Sequence, residues 1–149
     1  MVHIIEEFDV RCPRELAVPY LADFENAVEW DPGTVECTRI GVPGAPVEVG
    51  SRWHNVSKVL GRTTELTYEL VSLRDDGVVF EGSNSTAHTR DDIGLEVVDN
   101  ARTRVRYEAT ITFTGMARFA DPLMSLVFRK VARDTVRDLT AALERLPRP

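Results

Sequence analysis

Residues 22–33 read Ala-Asp-Phe-Glu-Asn-Ala-Val-Glu-Trp-Asp-Pro-Gly and set two large aromatic side chains among carboxylates. Asp23 is a good N-cap for a short helix over residues 24–29. Trp30 and the Asp-Pro-Gly after it end that helix, because the residue before a proline avoids the helical conformation and Pro-Gly favours a turn. The segment therefore predicts a short helix whose surface is both acidic and aromatic.

The chain before this segment predicts one strand and one further helix. Residues 3–12 nearly alternate between apolar and polar side chains, which is typical of a strand. Pro13 suits the first position of a helix. The apolar residues that follow recur at helical spacing and are Leu16, Ala17, Tyr20, Leu21 and Phe24. Pro19 lies inside this pattern and is expected to kink the helix or split it into two turns.

The period of the pattern changes to two after the short helices. We predict strands over residues 34–42, 51–60, 62–73, 78–84, 87–98 and 103–115. The last of these has the clearest alternation, with Val105, Tyr107 and Ile111 on one face and charged or hydroxyl side chains on the other. Short connections between consecutive strands predict an antiparallel sheet.

The C-terminal residues return to helical periodicity. Asp121 can cap and Pro122 can begin a long helix that extends to about Leu146. Its apolar stripe consists of Met124, Phe128, Val131, Thr135, Leu139, Ala142 and Leu146. The predicted fold class is therefore α+β, in which a strongly curved antiparallel sheet of about seven strands wraps around one long helix.

Composition narrows the class of protein. The 149 residues fit a single domain over residues 1–149, and the net charge of -6 argues against nucleic-acid binding, which requires a basic surface. We expect Cys12 and Cys37 to be reduced and packed, and neither has the spacing of a zinc ligand. No apolar run approaches the ~18 residues of a membrane span, and the N-terminus lacks the basic and apolar regions of a signal peptide, so we expect a cytoplasmic protein.

The sequence resembles the START-like helix-grip superfamily, also called SRPBCC, and within it the polyketide cyclase/dehydrase and lipid-transport group. Four stretches carry the resemblance and together span nearly the whole chain: LADFENAVEWDP, VEVGSRWH, TRVRYEATI and FADPLMSLVFRKVARDTVRDLTAALE. The resemblance implies a helix-grip fold with two short helices after the first strand and a cavity between sheet and C-terminal helix. Two departures from the group are Pro19, where a large apolar residue is usual, and SLRDDGVV, which replaces a proline-containing turn.

The resemblance also implies a place for the acidic and aromatic segment. The two short helices would close one end of the sheet, with Phe24 and Trp30 facing the long helix and the cavity. Trp30 is either a packing residue only or also lines the mouth of the cavity. The acids of the segment would face water and are Asp23, Glu25, Glu29 and Asp31.

Strand alternation indicates which residues face the cavity. Candidate ligand-binding residues are Trp30, Trp53, Asn55, Tyr68, Phe80, Asn84, Asp91 and Tyr107. The polar members need partners inside an apolar surface, and a ligand, a water or one another could supply them, for instance Asp91 accepting from Tyr68. A bulge could also turn Asp91 outward. Trp53 is expected to report ligand entry through its fluorescence.

Three functions are compatible with these observations. The first is binding or transport of a small hydrophobic ligand such as a lipid, polyketide or isoprenoid, with no cofactor and no metal. The second is a polyketide cyclase or dehydrase in which Tyr68 and Asp91 act as acid and base; no inward Arg or His is expected to hold an enolate. The third is a partner-binding regulatory protein. We expect a monomer or homodimer with no membrane-spanning segment.

Overall fold

The computed structural model describes the backbone of residues 1–149 and the side chains of all of them except residues 116, 119, 120 and 121. The strands are β1 (Val2–Val10), β2 (Thr34–Arg39), β3 (Arg52–Val59), β4 (Arg62–Arg74), β5 (Gly77–Ser83), β6 (Ala87–Val97) and β7 (Thr103–Phe113). The helices are α1 (Arg14–Ala22), α2 (Ala27–Trp30) and α3 (Asp121–Glu144). Two 3-10 turns, Phe24–Asn26 and Gly115–Ala120, precede α2 and α3.

The seven strands form one antiparallel sheet in the order β1-β7-β6-β5-β4-β3-β2. Strands β2 to β7 pair in sequence order, and β1 completes the sheet by pairing with β7, from Val2 opposite Ile111 to Val10 opposite Thr103. The prediction of a curved antiparallel sheet with a long C-terminal helix and short helices after the first strand is confirmed.

Local sequence explains most element boundaries. Helix α1 begins directly after Pro13, and the Asp23 carboxylate accepts a hydrogen bond from the Glu25 N–H and caps the 3-10 turn, as its sequence predicts. Of the two outcomes predicted at Pro19, a kink or a split, the split does not occur, because α1 is one nine-residue helix that contains this proline. Ala17 and Leu21 are fully buried on either side of Pro19, and this packing holds the helix together. The cap proposed at Asp121 lies outside the described side chains.

One end of the fold is filled by aromatic side chains. The filled end consists of Phe24, Trp30, Trp53 and Phe80, each no more than 1% exposed, with Leu139 and Leu143 of α3 above them. Phe24 is at the centre: its ring lies 4.5 Å from that of Phe80 and 6.0 Å from that of Trp30. The short helices therefore close one end of the sheet, as the resemblance to the helix-grip superfamily implies.

Candidate functional site

A cavity of about 420 Å³ lies between the sheet and the N-terminal half of α3. The α3 side is lined by Met124, Phe128, Val131, Ala132, Thr135 and Val136. Its only hydroxyl, that of Thr135, donates to the Val131 carbonyl within the helix. One side of the cavity is therefore apolar along its whole length, as is usual for pockets that bind small organic molecules.

The cavity opens between two hairpin tips. We call this opening the mouth, and it consists of Leu60, Arg62, Asn84 and Thr86, all of which line the cavity and are exposed. Leu60 is 68% exposed and has a positive φ of 53°, a conformation that non-glycine residues rarely adopt. Arg62 is an arginine on the cavity lining, contrary to the expectation that no Arg faces the cavity.

Polar side chains gather at the opposite end of the cavity, which we call the inner wall: Asp31, Tyr68, Asp91 and Tyr107. Strand register places three of them. Tyr68 of β4 stands opposite Gly82, Asp91 of β6 stands opposite Phe80 and Ala109, and Tyr107 of β7 lies between Ile93 and Glu6. These side chains share one face because successive strand residues point to opposite sides.

Gly82 makes the position of Tyr68 possible. A methyl group at residue 82 would lie 2.7 Å from the Tyr68 ring, so the ring lies directly on the glycine backbone. The Tyr68 hydroxyl is 3.4 Å from the Thr89 hydroxyl, which donates to it. Tyr68 therefore pairs with Thr89 and not with Asp91, the partner that the sequence suggested as one alternative.

Asp31 is the member of the inner wall that sequence reasoning missed, since it was expected to face water. It follows α2 and turns its carboxylate back toward the cavity, where Oδ1 accepts from the Gly33 N–H at 3.1 Å and Oδ2 accepts from the Thr34 hydroxyl at 2.7 Å. An aspartate that bonds the backbone two residues later is a standard turn device. The Asp-Pro-Gly-Thr sequence was the signal that could have indicated it.

Asn55 supports the position of Asp31 indirectly, through the hydroxyl of Thr34. The Ser57 hydroxyl donates to the Asn55 carbonyl at 2.6 Å, and the Asn55 amide donates to the Thr34 hydroxyl at 2.9 Å. Thr34 then donates its single proton to Asp31. Asn55 is fully buried and does not line the cavity, so its proposed direct contact with ligand is corrected to a positioning role.

The two inner-wall carboxyls have different environments. Burial, and to a smaller extent the charge of Asp31, raise the pKa of Asp91 to about 7. Burial also raises the pKa of Asp31, but the hydrogen bonds from Thr34 and the Gly33 N–H oppose that shift. Among the described residues nothing donates a hydrogen bond to Asp91. Asp31 is therefore the carboxyl that ionises first, and Asp91 retains its proton up to near neutral pH.

The two tyrosines respond to the same charges. Burial first, and then the charge of Asp91, raise the pKa of Tyr68 well above its ordinary value, and the same two causes raise the pKa of Tyr107. Asp31 adds to both shifts. Both phenols therefore stay protonated and offer neutral hydroxyl groups to the cavity.

The remaining sequence candidates do not contact the cavity in the way expected. Trp30, Trp53 and Phe80 belong to the filled end and are absent from the cavity lining. Trp53 faces inward as strand alternation predicts, but Phe24 and Phe80 occupy the space beside its ring, and the Arg39 guanidinium covers it at 5.4 Å. Large neighbours, which a strand pattern does not reveal, exclude these residues from the cavity.

Asn84 does line the mouth, but its side chain is fully engaged in the fold. Its amide donates to the Glu65 carbonyl at 3.0 Å, and its carbonyl accepts from the Thr86 and Ala87 N–H groups at 2.9 and 2.8 Å. The amide therefore shapes the β5–β6 turn, and a ligand would have to compete with these bonds.

The sequence matches the family model described as "Polyketide cyclase / dehydrase and lipid transport" over residues 1–144. The chain belongs to this family. A search of curated protein sequences finds no match. Among the described residues, no helix is both long and apolar enough to cross a membrane, and no group of three or more His, Cys, Asp or Glu side chains could hold a metal ion.

Solved structures share this fold at low sequence identity. A START superfamily protein from Mycobacterium smegmatis is 9% identical, with a TM-score of 0.80 and coverage of 97% of this chain and 99% of its own. The Zhui aromatase/cyclase from Streptomyces sp. R1128 is 14% identical, with a TM-score of 0.77 and coverage of 96% and 93%. A hypothetical protein from Helicobacter pylori is 13% identical, with a TM-score of 0.73 and coverage of 95% and 87%. At these identities the likeness shows the START-like fold alone.

Proposed function

We propose that the protein binds a small hydrophobic molecule, such as a lipid, polyketide or isoprenoid, in the cavity between the sheet and α3. The observation that carries the proposal is the cavity itself, about 420 Å³ with one wholly apolar side. This volume falls within the range of small-molecule sites, and each Å² of apolar ligand surface removed from water contributes roughly 25 cal/mol. The neutral phenols and the two carboxyl groups of the inner wall would orient the polar end of such a ligand.

The proposal is tested by identifying what the purified protein holds. Native mass spectrometry of freshly purified protein should show a bound mass, and extraction with organic solvent should release the molecule for identification. A variant that fills the cavity, Ala109→Phe, should lose the bound mass, because Ala109 lines the cavity on β7. Thr110→Phe, one residue further and on the opposite face of the same strand, is the matched control and should retain it.

Retention of the same molecule by Ala109→Phe would place it outside the cavity and contradict the proposal. Absence of any bound mass, together with no saturable binding of apolar probes by the wild-type protein, would contradict it as well. The third possibility from the sequence, a partner-binding regulatory role, would then be the remaining hypothesis.

A second candidate function, dehydration within a polyketide chain, is favoured by the unequal carboxyls of the inner wall. Sites that separate the pKa values of two acids assign one as acid and one as base. Asp31 would remove a proton from the carbon beside a thioester carbonyl, and those electrons would form the double bond. Asp91 would protonate the departing hydroxyl, which leaves as water, while Tyr68 would donate a hydrogen bond to the carbonyl. Proton exchange with solvent would restore both acids.

This candidate is tested with a β-hydroxyacyl thioester and the absorbance of the unsaturated product. Asp91→Asn should reduce the rate by ~100-fold or more, which is the usual contribution of a positioned acid. Asp92→Asn on the opposite face of β6 should leave the rate unchanged. No turnover by the wild-type protein, or equal rates for both variants, would exclude this mechanism.

A further inference from the structure

The titratable side chains that line the cavity are nearly all acids or phenols. Carboxyl groups reach it from three separate elements: Glu6 from β1, Asp31 from the turn after α2, and Asp91 from β6. Tyr68 and Tyr107 add two phenols, and the described side chains of α3 contribute no titratable group to the lining. Asp138 of α3, which forms an ion pair with Arg137, lies near enough to raise the pKa of Asp31.

The cavity contains no positive charge at this end among the described residues. The one basic residue on the lining is Arg62 at the mouth, six residues before Tyr68 on the same strand. Six residues of strand span about 20 Å, so the guanidinium is far from Tyr68, and Arg62 is not among the charges that shift the pKa of Asp31 or Asp91. The inner wall therefore presents carboxyl and hydroxyl groups to anything that enters the cavity.

The Asp91 carboxyl of the inner wall has no hydrogen-bond donor within the described part of the chain. The residue is 8% exposed, its carboxyl lines the cavity, and nothing in the described part of the chain donates a hydrogen bond to it. A buried carboxyl without a donor is costly, and such groups in folded proteins normally have a partner. A group that contacts the Asp91 carboxylate from the cavity would therefore be favoured if it donates a hydrogen bond.

We infer that the physiological ligand is an amphipathic amine, whose ammonium group lies against Asp91 and Asp31 and whose apolar body lies along α3. This rests on the proposed ligand-binding function and narrows it. An ammonium offers three donors and no acceptor, and the inner wall offers the acceptors. A fatty acid would bring a fourth carboxylate into the same apolar space and is disfavoured by repulsion and desolvation.

If the ligand is an amine, the affinity of the protein for it should change with pH in a defined direction. An alkylammonium keeps its charge across the neutral range, while Asp91 loses its proton near pH 7. Asp31 ionises at lower pH because Thr34 and the Gly33 N–H stabilise its charged form. Affinity for the amine should therefore rise as the pH increases through 7, and affinity for a carboxylate of equal length should fall. Tyr68 and Tyr107 remain neutral in this range and do not contribute to the change.

The experiment is isothermal titration calorimetry with three probes of equal chain length, namely decylamine, decanol and decanoate, each below its critical micelle concentration. At about pH 8 decylamine should bind at least tenfold more tightly than decanol, a difference of ~1.4 kcal/mol, and decanoate should bind most weakly. At about pH 6, where Asp91 still holds its proton, binding of the amine should release protons, which titrations in buffers of different ionisation enthalpy would detect.

Two variants distinguish binding of the ammonium group at the inner wall from general electrostatic attraction of the amine to an acidic protein. Asp91→Asn should remove the tenfold preference and its pH dependence while retaining decanol binding. Asp92→Asn removes one charge from the next residue on the opposite face of β6 and should leave the preference intact. If both variants reduce amine affinity equally, attraction to the surface explains the binding and the inference fails.

The failure of this inference differs from that of the proposed function. If decanol or decanoate binds as tightly as decylamine, the cavity is a hydrophobic site and the ligand is not an amine. If none of the three probes binds, the proposed ligand-binding function fails and the inference fails with it. A preference for the amine that persists in Asp91→Asn would also overturn it, because the ammonium would then lie elsewhere.

Discussion

The filled end and the cavity are built from the same layers, yet one is packed and the other is open. Strand β4 contributes Leu70 to the core and Tyr68 to the inner wall, and α3 covers both regions. The difference lies in side-chain volume. The filled end has two tryptophans and two phenylalanines, whereas the cavity lining includes Ala87, Thr89 and Ala109 of the sheet and Ala132 and Thr135 of α3. Small residues on both facing surfaces leave the space that a ligand would occupy.

The largest expected effect comes from truncating one aromatic residue in each region. Trp53→Ala should cost about 3–5 kcal/mol in the free energy of unfolding, because it leaves a void in tightly packed surroundings. Phe128→Ala on the cavity wall should cost only about 1 kcal/mol, because it enlarges a space that already exists. Denaturant titration of both variants measures the difference. Equal losses would show that the cavity region is as well packed as the filled end.

The second effect concerns the unpaired acid of the inner wall. The folded protein raises the pKa of Asp91 to about 7, above that of an aspartate in the unfolded chain. The folded state therefore holds a proton that the unfolded chain has lost, and stability declines as the pH rises from about 4 to about 7. Asp91→Asn removes this decline and should be more stable than the wild-type protein above pH 7, by at most about 4 kcal/mol.

This difference is measured by denaturant unfolding of the variant and the wild-type protein over the same pH range. Asp92→Asn is the control, and we expect it to follow the wild-type pH profile. A constant difference between Asp91→Asn and wild type at every pH would mean that Asp91 titrates like a free aspartate, and its place on the inner wall would then be wrong.

A smaller effect is expected where the sheet backbone touches an inner-wall side chain. Gly82→Ala places a methyl group 2.7 Å from the Tyr68 ring, so the ring must shift against Phe24, at a cost of about 1–3 kcal/mol and with weaker probe binding. At Gly94 the same methyl group would meet its nearest atom at 3.9 Å. Gly94→Ala should therefore be neutral or slightly stabilising. Similar losses for both variants would show that Tyr68 does not depend on Gly82.

The smallest effect is optical, and the structure favours Trp30 over the reporter predicted from the sequence, Trp53. The Trp30 ring lies 6.0 Å from that of Tyr107, which lines the cavity, whereas Trp53 contacts Phe24 and Phe80 in the filled end. Titration with an apolar probe should therefore change the emission of Trp30 more than that of Trp53. Trp53→Phe should keep the saturable change and Trp30→Phe should lose most of it. Loss of the signal in Trp53→Phe would restore the original prediction.

The positions of the residues used in these tests could be predicted from the sequence to different degrees. Alternation along β4, β6 and β7 predicted the inward face of Tyr68, Asp91 and Tyr107, because a strand has a strict period of two. The same rule placed Trp53 inward, and Trp53 pairs directly with Tyr68 across β3 and β4. Only Tyr68 reaches the cavity. Period two gives the side of the sheet, but the side chains that arrive from α1, α2 and α3 decide whether that side is filled.

Asp31 was missed for a different reason. A turn has no period, so a pattern of polar and apolar residues gives no face for a side chain within it. Its direction comes from specific hydrogen bonds to Gly33 and Thr34, and the position of Thr34 depends in turn on Asn55, 21 residues later in the chain. Such a long-range support cannot be read from local sequence.

The row of hydrogen bonds from Ser57 through Asn55 and Thr34 to Asp31 has one more consequence, for proton movement. Each donor in the row points toward Asp31, and both Ser57 and Asp31 touch the cavity. A carboxamide does not relay protons as a row of hydroxyl groups or waters does. Asn55 therefore interrupts proton transfer along this row of hydrogen bonds. Protons therefore do not reach Asp31 along this row, and the carboxylate exchanges them at its own accessible surface.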